Sequence, residues 1–254
     1  MFPTIQIGPL AVQAPGLIIL GGLWLGLSLA EKLAQPDREV ANQLYNLTFV
    51  ALIAGIIGAR AASILRFPEA FLANPLSIFS LNPGLLDQNA GIAVGLLAAF
   101  IYGQRKRLRF WPTLDRLTPF LALIAISLSL ANLATGTAFG SPTTFPWGIE
   151  LWGATRHPTQ LYSSILATVI LLLIILWHSK PETSGVLFVR FVALSAAARL
   201  FVEGFRGDSI LVGEGIRLAQ LVAWFLLALS LWRLWSLLKR DQDQITPATQ
   251  PERV

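Results

Sequence analysis

The sequence predicts an all-α membrane protein, a polytopic helical bundle of about seven transmembrane helices. Charged residues make up only 13% of the 254 residues, and hydrophobic residues make up 54%. A soluble domain carries roughly a quarter charged residues. The mean hydropathy of +0.63 agrees with this shortage of charge. The composition therefore indicates a chain that is solvated by a bilayer rather than by water.

Seven apolar segments come close to the ~20 residues that a helix needs to cross a bilayer. The first lacks a basic leader and a cleavage site, so we interpret it as a span and not as a signal peptide. The third is short, and the stretch 70–88 before it contains Asn74-Pro75 and Asn82-Pro83-Gly84. These dipeptides predict turns around a short amphipathic or re-entrant piece. The seven segments are 10–30, 44–65, 89–103, 117–134, 160–177, 185–204 and 216–238.

Lysine and arginine are concentrated in alternate connectors, which predicts the orientation. Cytoplasmic loops carry the excess of these residues. The connectors of one set, which include Arg105, Lys106, Arg107 and Arg109, are therefore expected in the cytoplasm. The N-terminus is then outside, the C-terminus is inside, and the connector 131–160 faces outward.

The chain is expected to form one transmembrane domain, residues 1–240, followed by a tail. The tail, 241–254, contains proline and glutamine and has no apolar pattern. Segments of this composition cannot bury enough apolar surface to fold. We therefore predict a disordered cytoplasmic tail.

Composition argues against several functional classes. The net charge of +5 would suit nucleic acid, but no basic face with interleaved aromatic residues is present, so we expect no nucleic-acid partner. The absence of cysteine excludes a disulfide framework and a thiol nucleophile in this chain. No group of ligands has metal spacing, so no metal and no cofactor are expected.

Arg199, Glu203 and Arg206 place charge in an apolar segment. Ionisable groups at membrane depth are costly and are functional candidates by default. The spacing puts Arg199 and Glu203 on one helix face, with Arg206 nearly on the same face. Arginine offers a planar fork for phosphate, and Glu203 could orient this fork or accept a proton. A structural ion pair is the alternative, but we favour a site for an anionic headgroup.

The stretch Arg156-His157-Pro158-Thr159-Gln160-Leu161-Tyr162 marks the start of the fifth segment. His157 cannot lie within a helix, because the residue before proline is disfavoured in the α region. A histidine at this interface could be a general base or a capping residue. Gln160 and Tyr162 could bind a lipid headgroup or belong to the polar belt of the interface.

Two further positions carry weaker signals. Asn132 and Gly136 lie near the outer end of the fourth segment and could bind substrate or only end a helix. Arg60 follows Gly55-Ile56-Ile57-Gly58, a small-residue pattern that suits close helix contact. Its charge either extends outward to the interface or faces the same cavity.

Taken in chain order, these segments resemble the prolipoprotein diacylglyceryl transferase family. Arg156–Tyr162 is similar to the family's Arg-His-Pro-Ser-Gln-Leu-Tyr, and Arg199–Arg206 to its Arg-x-x-x-Glu-x-x-Arg. Gly58-Ala59-Arg60 and Asn74-Pro75-Leu76-Ser77-Ile78-Phe79 add support. The resemblance covers most of the chain.

The resemblance implies a seven-helix transferase of the bacterial inner membrane. Such an enzyme moves the diacylglyceryl group of phosphatidylglycerol to the cysteine thiol of a prolipoprotein signal peptide. The reaction takes place on the outer side of the membrane, and glycerol phosphate leaves. The catalytic residues would be His157, Arg199 and Glu203. Substrate would be bound by Asn132, Gly136, Arg156, Gln160, Tyr162, Arg206 and Arg60.

The fourth segment departs from the family signature Gly-Arg-x-Gly-Asn-Phe-x-Asn-x-Glu. Aligned on Asn132, the chain has Ser129 in place of the phosphate-binding arginine and Thr137 in place of the glutamate. Asn89 falls near the position of the family's histidine before the third span. Three hypotheses stay open: an active transferase with a rearranged site, a catalytically silent relative that binds anionic lipid or a membrane-protein partner, and an enzyme for another anionic lipid.

Overall fold

The computed structural model describes residues 4–7, 10–34, 38–79, 86–179, 183–213 and 215–245. Most residues of each apolar segment lie on one long helix, which confirms the all-α class, although 10–13 and 216–217 are strand residues. A short helix, α3, and a 3-10 helix, Pro75–Phe79, follow the second long helix. The α-helices are α1 (Ala14–Ala34), α2 (Arg38–Arg66), α3 (Pro68–Ala73), α4 (Gln88–Arg105), α5 (Phe110–Thr135), α6 (Thr159–His178), α7 (Val186–Glu203) and α8 (Leu218–Ile245).

Five of these helices, α1, α2, α5, α6 and α8, are long and apolar enough to cross a membrane. The helices α4 and α7 have 18 residues each. The chain is therefore a multi-pass helical membrane protein. The count of seven spans and the orientation of the termini stay predictions.

The ends of two predicted segments can be compared with the structure. The turn predicted at Asn74-Pro75 separates α3 from the 3-10 helix, whereas Asn82-Pro83-Gly84 lies outside the described residues. The last helix continues to Ile245, so the first five residues of the predicted tail are helical, and 246–254 lie outside the described residues.

Three short antiparallel hairpins accompany the helices, and the sequence analysis did not foresee them. The second lies in the connector 131–160. Its two-residue turn, Trp152 and Gly153, has φ angles of 56° and 73°, as a type I′ hairpin turn requires. The strand pairs are β1 (Thr4–Ile7) with β2 (Leu10–Gln13), β3 (Ile149–Leu151) with β4 (Ala154–Arg156), and β5 (Leu211–Val212) with β6 (Ile216–Arg217).

The chain divides into two compact units, one made of residues 1–33 and 114–254 and the other of residues 34–113. In the second unit α2 packs on α4 through small residues. A Cβ atom on Gly55 would lie 3.0 Å from the carbonyl oxygen of Gly91, and one on Gly58 would lie 2.6 Å from Cβ of Val94. The small-residue pattern in α2 is thus confirmed as a close helix contact.

In the first unit α7 is tied to α5 at its N-terminus. The carboxylate of Asp115 on α5 accepts hydrogen bonds from the backbone N–H groups of Gly185 and Phe188. An anionic side chain is favourable there, because a helix N-terminus carries unsatisfied N–H groups and a partial positive charge. Ile174 on α6 is fully buried and packs with Leu187 of α7. These contacts set the position of α7, which carries the charged residues of the site.

Candidate active site

The end of α7 carries a buried carboxylate between two arginines. Glu203 has no exposed surface. Its Oε2 atom lies 3.0 Å from Nη2 of Arg199 and 3.8 Å from Nε of Arg206. The predicted placement of Arg199 and Glu203 on one helix face is confirmed, whereas Arg206 follows the end of α7 and reaches the same carboxylate from the turn. Two guanidinium groups therefore share this one buried carboxylate.

Two residues that the sequence analysis missed complete this cluster. Ser209 donates a hydrogen bond to Oε1 of Glu203, with 2.5 Å between the oxygens. Asp208 lies 2.8 Å from Nη2 of Arg206. Both follow Arg206 within three residues, so the available signal was their place in the turn directly after α7.

Two cavities lie on either side of α7, and Arg199 and Arg206 line both. The first has a volume of about 280 Å³ and lies among α5, α6 and α7. The second, of about 540 Å³, lies between α7 and α8, and Glu203 lines it. The guanidinium groups can therefore meet a ligand in either cavity.

The side chains of the two arginines differ in exposure. That of Arg199 is 43% exposed, and that of Arg206 is 15% exposed. Arg199 is thus the more accessible of the two cations, while Arg206 is held by Glu203 and Asp208. A phosphate can therefore approach the exposed part of Arg199 while Arg206 keeps its contacts with Glu203 and Asp208.

The connector 131–160 is fastened to the turn after α7 by backbone hydrogen bonds. Ser141 N–H donates to the carbonyl of Phe205 (2.8 Å), and Gly207 N–H donates to the carbonyl of Phe139 (2.9 Å). At Gly140 a Cβ atom would lie 2.3 Å from the carbonyl oxygen of His157, so this close approach requires glycine. The connector is therefore fixed against the charged cluster.

The α5 side of the first cavity is uncharged. Ser129 and Asn132 both line it. Asn132 Oδ1 accepts a hydrogen bond from the hydroxyl of Thr137 (3.2 Å). Gly136, with a φ of 75°, follows the last residue of α5, which confirms the helix stop. Its carbonyl accepts a hydrogen bond from the Trp152 indole (3.0 Å).

Gln160, in the first turn of α6, reaches the first cavity. Its side chain is 1% exposed, and its Nε2 donates to the carbonyl of Thr137 (2.8 Å). Beside it, the hydroxyl of Thr159 donates to the carbonyl of Ala138 (2.6 Å). The structure thus brings Gln160 together with Asn132, Arg199 and Arg206 around one cavity.

His157 and Tyr162 lie in a cluster of aromatic rings. His157 Nδ1 is 3.3 Å from the hydroxyl of Tyr162, which accepts a hydrogen bond from the Trp147 indole (2.8 Å). The rings of Phe145 and Phe205 are centred 5.6 Å and 5.2 Å from the imidazole. Neither His157 nor Tyr162 belongs to the lining of the two cavities.

Arg156 holds the connector rather than lining a cavity. Its Nε donates to the carbonyl of Leu151 (3.0 Å), and its Nη1 donates to that of Gly140 (3.3 Å). The guanidinium also lies 4.9 Å from the centre of the Phe139 ring. These contacts favour a structural role within the β3–β4 hairpin.

The remaining predicted positions belong to the second unit. Arg60 lies on α2, and Asn89 lies in the first turn of α4. Their predicted roles stay predictions. In the part of the chain that the structure describes, no group of three or more histidine, aspartate or glutamate residues could hold a metal ion. The polar residues that line the first cavity are Ser129, Asn132, Gln160, Ser163, Ser195, Arg199 and Arg206.

Comparison with known proteins identifies the chain's relatives. The family model described as prolipoprotein diacylglyceryl transferase matches residues 3–236. The phosphatidylglycerol–prolipoprotein diacylglyceryl transferase of Clostridium botulinum (strain Hall) is 30% identical over 247 residues, which cover 93% of this chain and 97% of that protein. A protein of the same name from Nostoc sp. is 31% identical over 264 residues, covering 97% of this chain and 93% of its own length. The similarity thus extends over nearly the whole chain.

Proposed function

We propose that this chain, which belongs to the prolipoprotein diacylglyceryl transferase family, moves the diacylglyceryl group of phosphatidylglycerol to the cysteine thiol of a prolipoprotein signal peptide. The observation on which the proposal rests is the pair of guanidiniums that a fully buried carboxylate holds at the wall of the first cavity. A lipid phosphate is the anion that this arrangement fits, because arginine binds phosphate oxygens through a planar fork.

The reaction requires charge stabilisation more than it requires a nucleophile from this chain. The thiol sulfur attacks the carbon of the diacylglyceryl group that is esterified to the phosphate, a C–S bond forms, and the bond from this carbon to the phosphate oxygen breaks. Glycerol phosphate leaves with the electron pair, and the thiol proton passes to a base. Arg199 and Arg206 stabilise the negative charge on the leaving phosphate, and Glu203 fixes their position.

His157 is the residue that the sequence predicts as the base. Because it lies outside the lining of both cavities, it would act through water or through its contact with Tyr162. The chain contains no cysteine, which agrees with a nucleophile that is supplied by the substrate.

The activity test uses the purified protein in phosphatidylglycerol micelles with a lipobox peptide as acceptor. We expect the peptide to gain the mass of a diacylglyceryl group. Arg199→Ala should lower kcat/KM by roughly 10²–10³, the cost of losing a charge-stabilising donor. Arg190→Ala is the matched control, since Arg190 lies on the same helix over the Trp177 ring and is not part of either lining.

A catalytically silent relative that binds anionic lipid is the second candidate, and the replacements at Ser129, Thr137 and Asn89 favour it. A relative with the complete signature serves as the positive control in the same assay. If that relative is active and this protein is folded but gives no product, the transferase proposal is refuted. Retention of phosphatidylglycerol that Arg199→Ala abolishes would then support the binding protein.

We further propose that the site opens to the outer side of the membrane. Since the chain lacks cysteine, one engineered cysteine reports the side of its own position. Glu150→Cys, exposed in the β3–β4 hairpin, should react with a membrane-impermeant maleimide in intact spheroplasts. Lys106→Cys should react only after permeabilisation. The reverse labelling pattern would contradict the orientation.

A further inference from the structure

The amide of Gln160 leaves one buried acceptor without a partner. A carbonyl oxygen can only accept, so the bond to Thr137 must come from Nε2, and this fixes the orientation of the amide. The other amide atom, Oε1, has no hydrogen-bond partner within the described ranges, although the residue is 1% exposed. Buried polar atoms are nearly always paired, so this oxygen calls for a donor from a bound molecule.

The neighbouring hydroxyls of the first cavity call for the same kind of ligand. The Ser129 hydroxyl donates to the carbonyl of Ala125 (2.9 Å), and the Ser163 hydroxyl donates to the carbonyl of Thr159 (2.9 Å). Both hydrogens are engaged by their own helices, so each oxygen has only lone pairs to offer to a ligand. Gln160 and the two serines therefore favour a ligand with several donors.

Charge decides between the two kinds of donor that a lipid headgroup can bring. An ammonium group and a hydroxyl both donate hydrogen bonds. Arg199 and Arg206 line the first cavity, whereas their partners Glu203 and Asp208 line only the second. The first cavity thus offers an ammonium group no counter-charge from these carboxylates, so an uncharged hydroxyl is favoured. The cavity of about 280 Å³ is near the lower end of ligand pockets, and its size suits a headgroup rather than acyl chains.

We propose that Gln160 Oε1 accepts a hydrogen bond from a hydroxyl of the lipid headgroup and makes the first cavity selective for phosphate esters of uncharged polyols over those of ammonium alcohols. Gln160 is then a specificity-determining residue. This inference rests on the proposed function in one respect, namely that the cavity holds the headgroup of the lipid substrate.

The test compares phosphatidylglycerol with phosphatidylpropanol, which lacks both headgroup hydroxyls. For the unaltered protein we expect kcat/KM to be about 10–100-fold lower with phosphatidylpropanol, because the site's polar atoms are then left unpaired. In Gln160→Met, which keeps the length of the side chain but has no amide, this ratio should fall to about threefold or less. Thr168→Ala is the matched control, because Thr168 is an exposed residue of the same helix outside both linings, and it should leave the ratio unchanged.

A structural role of Gln160 would lower turnover of both lipids equally and leave the ratio unchanged, which would overturn the proposal. Equal use of both lipids by the unaltered protein would overturn it without any variant. Gln160→Glu keeps Oε1 and adds negative charge, so we expect phosphatidylethanolamine to gain relative to phosphatidylglycerol.

Lipid retention separates this inference from the proposed function. Native mass spectrometry of the protein in mixed micelles measures which of the two lipids stays bound, whether or not transfer occurs. If the protein retains phosphatidylglycerol selectively, Gln160→Met abolishes this selectivity, and no transfer occurs, the transferase is refuted. The headgroup selectivity assigned to Gln160 is then upheld. Transfer to the peptide without selectivity between the two lipids would uphold the transferase and refute the selective role of Gln160.

Discussion

The two walls of the first cavity differ in their polar residues: one wall, formed by α7 and the turn after it, is charged, and the other, formed by α5, is neutral. The α7 wall carries Arg199 and Arg206, and the carboxylate between them is fully buried. The α5 wall carries Ser129 and Asn132, which are uncharged. Charge is present where counter-charge and donors surround it, whereas the neutral groups of the α5 wall bond to the helix backbone or to a neighbouring hydroxyl.

The replacements in the fourth segment fit this comparison. In the alignment on Asn132, Ser129 and Thr137 are predicted to replace an arginine and a glutamate of the family signature. A charge at membrane depth is costly unless it is paired, whereas two neutral residues need no counter-charge. The Ser129 hydroxyl is satisfied by Ala125, and the Thr137 hydroxyl by Asn132. The α5 wall is therefore a consistent neutral surface.

The largest effect is expected when the α7 wall loses its central charge. Glu203→Gln keeps the shape of the side chain but removes the carboxylate partner of Arg199, while Arg206 keeps only Asp208. We expect the free energy of unfolding in detergent to fall by about 3 kcal/mol and kcat/KM to fall by at least ~10². Thermal unfolding and the transfer assay measure the two quantities.

Asp208→Asn is the control for this variant, because Asp208 contacts Arg206 and is 23% exposed. Its effect should be several times smaller. If Glu203→Gln lost stability but kept kcat/KM, the carboxylate would be a structural ion-pair partner only. The charge of the α7 wall would then not depend on Glu203 for its effect on catalysis.

A medium effect is expected when charge is placed on the neutral wall. Ser129→Arg puts an unpaired cation near membrane depth and should lower stability by ~2 kcal/mol. Adding Thr137→Glu should restore about half of the loss, as a double-mutant cycle on melting temperature would measure. A gain of about 100-fold or more in kcat/KM for the double variant would contradict the view that the α7 wall alone stabilises the phosphate.

The smallest effect is expected at an ion pair outside the cavity. Asp87 accepts a hydrogen bond from the Ala90 N–H at the start of α4 and lies 3.2 Å from Arg66, whose side chain is 69% exposed. The Ala90 N–H and, to a smaller extent, Arg66 lower the pKa of Asp87. Exposed pairs contribute little, because water screens them.

The pH dependence of that pair has a definite sign. Because the folded-state pKa is lowered, the stabilisation is present above the ordinary value of about 4 and is lost as pH falls through the folded-state pKa. Asp87→Asn, which can still cap the helix, should lower the melting temperature by about 1–2 °C at pH 7 and by less at pH 3. A difference that grows at low pH would contradict this sign.

Features that depend on local spacing could be predicted from the sequence. The seven long helices follow from apolar runs, and the shared face of Arg199 and Glu203 follows from their separation by one helical turn. The close contact at Gly55 and Gly58 follows from the absence of side chains. Each of these needs only a few neighbouring residues, so no knowledge of the fold was required.

Features that depend on distant segments could not be predicted in this way. His157 and Gln160 are three residues apart, yet only Gln160 lines a cavity. What separates them is the connector, which brings Thr137 to Gln160 and the rings of Phe145 and Phe205 to His157. In the sequence, a histidine next to proline indicates a position at the membrane interface. It does not indicate which distant residues the histidine contacts.

The sequence by itself therefore determined the membrane class, the helices and the paired charges of α7, because periodicity and the cost of charge in lipid act locally. The tertiary structure decided which polar atoms share a cavity and which of them stay unpaired, such as Gln160 Oε1. The physical reason is that these hydrogen-bond partners come from segments far apart in the chain. Their packing decides which atoms meet, and it cannot be read from a local sequence pattern.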